Sequence, residues 1–497
     1  MAITETAKKS CGTCRDRRVH CDRVVPVCSQ CSGSKLKCKG YAFRLSWPSA
    51  GDRRRSMAVK APLHSLSRVR PVSKHLAHVS FWDVQMHRHL TALGHTRPLL
   101  QIPMPWNPSE LELGSNDLIL YFYTSASQSL TTFGHDPQAL GQALMRIALA
   151  GSTPSAAAVF NSLLALSSLH RYGVQTQAFR LKIATIKALA AATTCNLTAR
   201  EVIQHAAAGM LLCSFEVHQA SCTSSQWTWY ISGVKQVLNA PCLKHFSRDS
   251  DLNALMDWVY YHDVMSRFTL RHWHGDVLEI PPKPSDMCRK EVYTPVRTAI
   301  GFHSTDAELQ PTDQSMLANL ELLAELSDTV MARPQDSMSV QQMEDYKGYI
   351  RILDWRVRNI PTQSKPTSDR EQTVVAELFK LATLVYLNRI SGNLLDQTDS
   401  IQANLNRAFT LFSQMDCCER QYPLFILGCE ARTDEQRLTV LDLISRTEKR
   451  SSSRSLNHVR ILVQALWAQD DLAEKELDYW DKLSSIISSC TIIPSLV

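Results

Sequence analysis

From Leu111 onward, apolar residues recur at helical spacing rather than in alternation. Asp136 followed by Pro137 is typical of a helix start, because aspartate can cap free backbone amides and proline has no amide to satisfy. The apolar residues that follow fall on one helical face, and they are Leu140, Leu144, Ile147 and Ala148. Gly151 favours a helix end. The pattern predicts an amphipathic helix between Pro137 and Gly151.

Further segments of the body show the same period. Phe179, Ile183, Ile186 and Ala190 share one helical face, as do Val374, Leu378, Leu381 and Val385. Thr433 and Gln436 predict a capping box ahead of Leu438 and Leu441. Because alternating strands with hairpin turns are scarce, the predicted fold class is mostly α, with an all-helical domain over residues 111–497.

Residues 42–110 are rich in Arg, Ser, Pro and His. We expect a basic, partly disordered linker here, and we interpret Arg53–Arg55 either as a nuclear-localisation element or as a tail that contacts phosphates. No apolar heptad holds for three repeats, so the sequence favours a monomer or a homodimer formed through the helical body over a coiled-coil dimer. A short coiled coil stays the alternative.

Charge is distributed unevenly along the 497 residues. Residues 1–75 hold 17 Lys+Arg and 4 Asp+Glu, a balance of +13, and the remainder of the 54 basic and 47 acidic residues gives −6. Such concentrated positive charge predicts a polyanionic partner, although a solvated basic tail has the same composition. The apolar runs are far shorter than the ~20 residues that span a bilayer, and the N-terminus has no apolar signal core. We therefore expect an intracellular protein with no membrane partner.

Six of the fifteen cysteines lie within 28 residues of this basic segment, in the spacing C-x2-C-x6-C-x6-C-x2-C-x6-C. They are Cys11, Cys14, Cys21, Cys28, Cys31 and Cys38. Disulfides are disfavoured in a reducing compartment, iron–sulfur clusters group their cysteines differently, and C-x2-C thiolates are typical zinc ligands. Two tetrahedral zinc ions need eight ligand positions, which six thiolates supply only if two of them bridge. The pattern predicts two zinc ions that hold residues 1–41 together, against the alternative of six scattered buried thiols.

The segment CGTCRDRRVHCDRVVPVCSQCSGSKLKCKGY resembles the fungal binuclear zinc cluster DNA-binding domain. The resemblance implies that one metal is held by Cys11, Cys14, Cys21 and Cys28 and the other by Cys11, Cys28, Cys31 and Cys38, so that Cys11 and Cys28 bridge.

The same resemblance implies how double-stranded DNA is read. The first short helix would lie in the major groove over a CGG-type triplet, with Arg17 and Arg18 at the positions that donate to guanine. An arginine that bonds one guanine at two atoms is worth about 1–3 kcal/mol of discrimination. Arg15, His20 and Arg23 are expected at phosphates, which position the domain without reading bases. His20 stands where the family usually has Lys or Arg.

The body also resembles a known family. Its segments LILYFYTSASQSL, ALMDWVYYHDVMSR and YPLFILGCEARTDEQRLTVLDLI are similar to the fungal-specific transcription factor domain in its shorter second variety. The resemblance implies a helical regulatory domain that responds to a small-molecule effector or a co-regulator. It does not indicate which residues would contact an effector.

Several features of the body invite a chemical function. His272 and His274 could suggest a metal site, but they have no Cys or carboxylate at ligand spacing and are interpreted as loop residues. The body cysteines interpreted as small core residues rather than redox sensors are Cys213, Cys417, Cys418 and Cys429. Phosphate-loop, dinucleotide-binding, hydrolase and HExxH motifs are missing from the sequence, so we expect no enzymatic activity.

These observations predict a nuclear, sequence-specific DNA-binding regulator of RNA polymerase II transcription in a fungus. By analogy with the family, the first hypothesis for its role is a pathway-specific activator of a secondary-metabolite gene cluster. Regulation of nutrient catabolism, and a repressing or architectural DNA-binding factor, are the alternatives. An enzyme fused to a DNA-binding module is a third class, for which the sequence carries no motif.

Overall fold

The computed structural model describes residues 9–41, 79–91, 115–130, 133, 137–193, 197–219, 225–243, 250–273, 311–330, 339–361, 370–451, 456–473, 477–490 and 492–497. The chain divides into two compact units, Met1–His75 and Leu76–Val497. The Arg53–Arg55 run and His274 lie outside the described residues.

Residues 9–41, the described part of the first unit, form two short helices, α1 (Gly12–Arg17) and α2 (Ser29–Gly33). The α-helices of the second unit, as far as the structure describes it, are α3 (Phe81–Thr91), α4 (Ser115–Thr124), α5 (Pro137–Leu149), α6 (Pro154–Tyr172), α7 (Thr176–Ala192), α8 (Ala199–His218), α9 (Gln226–Leu238), α10 (Ser250–His272), α11 (Pro311–Thr329), α12 (Val340–Arg358), α13 (Arg370–Ile390), α14 (Thr398–Gln414), α15 (Gln421–Cys429), α16 (Asp434–Ser451), α17 (Leu456–Leu472) and α18 (Tyr479–Ser489). No strand is assigned in the described ranges, which confirms the mostly α fold class. Of the described helices, none combines the length and the apolar character needed to cross a lipid bilayer.

The helical unit has two main hydrophobic cores, and α10 runs through both. Its N-terminal half, around Leu255 and Trp258, packs with α4, α5, α6 and α8. Its C-terminal half, around Tyr261 and Phe268, packs in a core shared with α11, α13, α15 and α17. Because α10 is buried on nearly all sides, it joins the two halves into one body.

A buried ion cluster fixes α10 to its neighbours. Asp263 accepts a hydrogen bond from Lys235 of α9 at 2.7 Å and from Arg267 at 2.8 Å, and Arg267 also donates to Asp328 of α11 at 2.8 Å. Two positive and two negative charges are thus matched in a site where water is largely excluded. Removal of one partner would leave a buried charge uncompensated, so this cluster constrains how α9, α10 and α11 cross.

The predicted helix between Pro137 and Gly151 is confirmed as α5, whose buried residues include Leu140, Leu144 and Ile147. The predicted capping box is also present. The backbone amide of Gln436 donates to Thr433 Oγ1, and Gln436 Oε1 accepts from the backbone amide of Thr433, each at 3.3 Å. The apolar face that begins at Val374 lies on α13 and packs into the second core. Local patterns therefore located these helices correctly.

Helix α7 is also present, but its contacts differ from the apolar pattern. Its buried residues are Ala178, Thr185 and Ala192, whereas Ile183 and Ile186 are 51% and 43% exposed. Small residues spaced by seven let α6 approach closely, and this packing turns the isoleucines towards solvent. The spacing predicted the helix but not the face that packs.

Part of the predicted linker is folded onto the body. Within residues 42–110, α3 packs against α17 and α18, Met86 is fully buried, and Gln469 donates to the Asp83 carbonyl at 2.9 Å. Few residues of this helix are apolar and buried. Its apolar period is therefore not evident within the polar composition of residues 42–110. The rest of that range lies outside the described residues.

The contact between α8 and α9 gives a stability test. A Cβ at Gly209 would lie 2.5 Å from Val234 Cγ2, and valine has little rotamer freedom in a helix, so Gly209→Ala should lower the free energy of unfolding by about 1–3 kcal/mol. Urea unfolding of the full chain, followed by circular dichroism, measures this change.

Gly233→Ala on α9 is the matched control, because a Cβ there would meet no atom within 4 Å. We expect it to stabilise the helix by about 0.5–1 kcal/mol. Equal stability of the two variants would contradict the close crossing of α8 and α9.

Candidate metal centre and nucleic-acid interface

Each short helix of the first unit begins at a cysteine that caps it. Cys11 Sγ accepts from the Cys14 amide at 3.3 Å, and Cys28 Sγ accepts from the Cys31 amide at 3.4 Å. An N-cap side chain reaches the amide three residues later, so C-x2-C spacing turns both sulfur atoms of a pair towards one point. The local sequence thereby builds two converging thiol pairs.

The two halves repeat after 17 residues, the separation of Cys11 and Cys28. Arg18 and Lys35 both take the left-handed conformation, with φ of 56° and 52°. The next amide then bonds back to a cysteine carbonyl in each half, Val19 to Cys14 at 3.0 Å and Leu36 to Cys31 at 2.9 Å. A non-glycine residue at positive φ is uncommon, so its recurrence shows that the same reversal of the chain is required twice.

The sulfur atoms form two overlapping groups of four, and within each group all lie within 4.8 Å of one another. The groups are Cys11, Cys14, Cys21 and Cys28, and Cys11, Cys28, Cys31 and Cys38. Cys11 Sγ and Cys28 Sγ, which belong to both, are 3.6 Å apart, and Cys14 Sγ is 3.6 Å from Cys28 Sγ. Zinc–sulfur bonds of about 2.3 Å in a tetrahedron give an edge of about 3.8 Å. The sulfur geometry therefore fits zinc.

Burial raises the pKa of the Cys14 and Cys31 thiols above the ordinary value. These thiols lose their protons readily only if a cation takes the protons' place, as a divalent metal ion does. Metal binding and folding of this unit are thus coupled through the same atoms.

Hydrogen bonds from Gly12 and Thr13 hold the chain around Cys38 in place, and the sequence did not predict them. The Thr13 hydroxyl donates to the Lys37 carbonyl at 3.0 Å and accepts from the Lys39 amide at 2.9 Å. The Gly12 amide donates to the Gly40 carbonyl at 2.9 Å, and a Cβ at Gly12 would lie only 3.0 Å from Lys39 Cβ. The Gly-Thr pair between the first two cysteines was the available signal, because a small residue there allows this close approach.

The basic side chains predicted to meet DNA are all exposed. They are Arg15, Arg17, Arg18, His20 and Arg23. The two acidic side chains of residues 9–41 have other partners: Asp16 pairs with Lys39 at 2.9 Å, and Asp22 accepts from the Ser29 amide at 3.0 Å. Positive charge therefore dominates the surface around α1.

The two halves differ in charge although their backbones match. The repeat relates Arg15 and Arg17 of α1 to Ser32 and Ser34 of the second half. Arg18 corresponds to Lys35. The first helix consequently carries the stronger positive potential, which favours it over the second as the contact with a polyanion.

The histidine and cysteines of the body that were considered as metal or redox sites have structural roles. His272, predicted in a loop, is instead the buried last residue of α10, and its ring lies 2.6 Å from the Tyr386 hydroxyl and 2.9 Å from Ser484 Oγ. Cys418 and Cys429 are buried as predicted, and burial raises the pKa of Cys418 to about 12. So high a pKa leaves the thiol protonated and opposes thiolate redox chemistry.

A cavity in the described body lies among Glu216, Trp227, His458 and Ile493 and measures about 10 Å³. Such a volume holds about one water molecule, and an organic effector would need several hundred Å³. This cavity is therefore not an effector site as it stands.

Comparison with known proteins agrees with this geometry. Residues 9–48 match the fungal Zn(2)-Cys(6) binuclear cluster domain, and residues 117–490 match the fungal specific transcription factor domain. Over 403 residues the chain is 44% identical to transcription factor iacI of Pestalotiopsis fici, an alignment that covers 80% of this chain and 100% of that relative. No solved structure gives a significant match.

These matches decide several predictions made from the sequence. The cluster domain binds two zinc ions and implies DNA binding. Family and relative indicate a transcription factor and not an enzyme, and the family implies a nuclear location. The chain belongs to the fungal Zn(2)-Cys(6) binuclear cluster transcription factors that carry a fungal specific transcription factor domain.

Proposed function

We propose that this transcription factor recognises CGG-type triplets in double-stranded DNA through a two-zinc cluster whose shared ligands are Cys11 and Cys28. Cys14 and Cys21 complete one zinc site, and Cys31 and Cys38 complete the other. The observation that carries the proposal is the overlap of the two thiol groups at these two sulfur atoms beside an arginine-bearing helix. Two Zn²⁺ and six thiolates leave a charge of −2, which the surrounding basic residues outweigh.

In this proposal the bases are read from the C-terminal end of α1. Arg17 and Arg18 are exposed there, and the left-handed turn at Arg18 directs the chain away from the helix end, so the end can enter a groove. Guanine offers two acceptors in the major groove, and an arginine fork matches them. Arg15, His20 and Arg23 contact phosphates on either side.

The proposed biological role is activation of RNA polymerase II genes in the nucleus, with a secondary-metabolite gene cluster as the target. Family analogy supports this choice, and regulation of nutrient catabolism is the second candidate. The helical body then serves as the regulatory part, responding to an effector or a co-regulator. A repressing or architectural factor would share the DNA contacts but lack activation.

The shared ligands give the first test. Cys11→Ser should lose both zinc ions, because Cys11 belongs to both thiol groups. Metal analysis of the purified full chain by mass spectrometry measures the content. Cys242→Ser, at an exposed cysteine of the body, is the control and should keep two zinc ions. One zinc ion per wild-type chain, or full zinc content in Cys11→Ser, would contradict the proposal that both zinc ions share Cys11 and Cys28.

Base reading gives the second test. Arg18→Ala should lower discrimination for CGG-type sites by about 1–3 kcal/mol, whereas Arg23→Ala should weaken binding to all sequences alike. Binding-site selection followed by titration at fixed salt separates the two effects. Lys35→Ala changes the residue that the repeat relates to Arg18 and should leave base preference unchanged. Unaltered preference in both Arg17→Ala and Arg18→Ala contradicts the reading helix.

Activation gives the third test. Residues 76–497, the second compact unit with α3 included, should raise expression of a reporter when they are fused to an unrelated DNA-binding domain whose site the reporter carries. The fusion partner alone is the control. Expression no higher than this control would favour the architectural or repressing alternative, and it would leave the zinc and base-reading tests unaffected.

A further inference from the structure

Helix α12 packs into the second core with one face and leaves the opposite face open. Its buried residues are Tyr346, Ile350, Leu353, Asp354 and Val357. The opposite side carries residues at spacings of three and four, and we call them the α12 stripe: Val340, Glu344, Gly348, Arg351 and Trp355. These positions fall within about a quarter of the helix circumference, so they present one continuous surface.

The apolar members of the α12 stripe are unusually exposed. Val340 is 86% and Trp355 65% exposed, and the adjoining Ile352 is 57% exposed. Large aromatic side chains are enriched at protein interfaces, and exposed apolar residues one helical turn apart, as Ile352 and Trp355 are, mark such surfaces. The surface therefore has the composition of an interface.

The charged members of the α12 stripe form no ion pair with the described part of the chain. Their neighbours on the same helix do: Arg356 pairs with Glu325 at 2.6 Å, and Arg358 pairs with Asp354 at 2.7 Å. Glu344 and Arg351 are both exposed.

Gly348 lies at the middle of the stripe, where a Cβ would meet no atom within 4 Å. Glycine inside a helix is less stable than alanine, and no contact within the described residues requires it at this position. A second helix crossing at this point would use the missing side chain for close approach.

The order of residues along the stripe is symmetric about its middle. Val340 and Trp355 are centred on the same point as Glu344 and Arg351, between Lys347 and Gly348. An antiparallel copy of the helix, related by a two-fold axis at that point, places Val340 against Trp355 and Glu344 against Arg351, each twice. Apolar residues meet apolar residues, and opposite charges meet, all from one surface.

We propose that the α12 stripe is the self-association surface of this protein, and that its occupant is the α12 stripe of a second copy in antiparallel orientation. The order of residues along the stripe is complementary to the same stripe in the opposite direction. This favours a second copy as the occupant, because an unrelated partner would not require such symmetry. A helix of 19 residues is about 28 Å long, so this contact alone buries less area than a standard interface. The dimer is therefore a weak, reversible one.

Charge reversal on the full-length chain tests the proposal. Glu344→Arg sets arginines against each other across the two-fold axis, and Arg351→Glu sets glutamates against each other. Each variant should dimerise about tenfold or more weakly than wild type, and an equal mixture of the two should regain dimers because both ion pairs re-form between unlike chains. Sedimentation velocity over a range of concentrations measures all four samples.

Substitution of two exposed tryptophans, one inside and one outside the α12 stripe, provides a matched control. Trp355→Ser should shift the equilibrium to monomer, whereas Trp229→Ser, at a 53% exposed tryptophan on α9, should behave as wild type. Circular dichroism verifies that each variant is folded. A wild-type chain that stays monomeric at about 100 µM overturns the proposal, since that excludes even a weak specific dimer. A mixture no more dimeric than its two components overturns it as well.

Discussion

In residues 9–41, the part of the N-terminal unit that the structure describes, cysteine sulfur atoms take the place of a hydrophobic core. The buried cluster within these residues consists of cysteines, with Cys38 and Tyr41 packed beside it. Burial of so few apolar atoms cannot offset the entropy of ordering the chain, so the free energy has to come from metal–thiolate bonds. The exposed arginines of α1 are held in position only as long as the sulfur atoms stay together.

The helical unit is stabilised mainly by apolar packing. Its two main cores are large and apolar, and buried polar contacts connect the helices at particular points. Asp263 and Arg267 connect α9, α10 and α11, and His272 connects α10 to α13 and α18 through Tyr386 and Ser484. Such polar contacts inside a core favour one arrangement of the helices, because alternative packings would leave charges or hydrogen-bonding groups unpaired.

The division between the units suits a regulator. A metal-held unit presents charge on a small exposed helix, and a hydrophobic body offers surface area for contacts with other molecules. The α12 stripe and the exposed side of α7 are both surfaces of that body.

The sequence alone determined the features that depend on near neighbours in the chain. C-x2-C spacing places two sulfur atoms at one helix start, and the caps and apolar periods located α5, α13 and the start of α16, because these contacts join residues three or four apart. Only the tertiary structure decided which face of α7 is buried, that residues 81–91 dock on α17, and that His272 meets Tyr386. It also decided that Val340 and Trp355 stay exposed. Contacts between different helices depend on how whole helices pack, whether the helices are adjacent in the chain, as α6 and α7 are, or far apart, as at His272 and Tyr386. Local spacing carries no information about that packing.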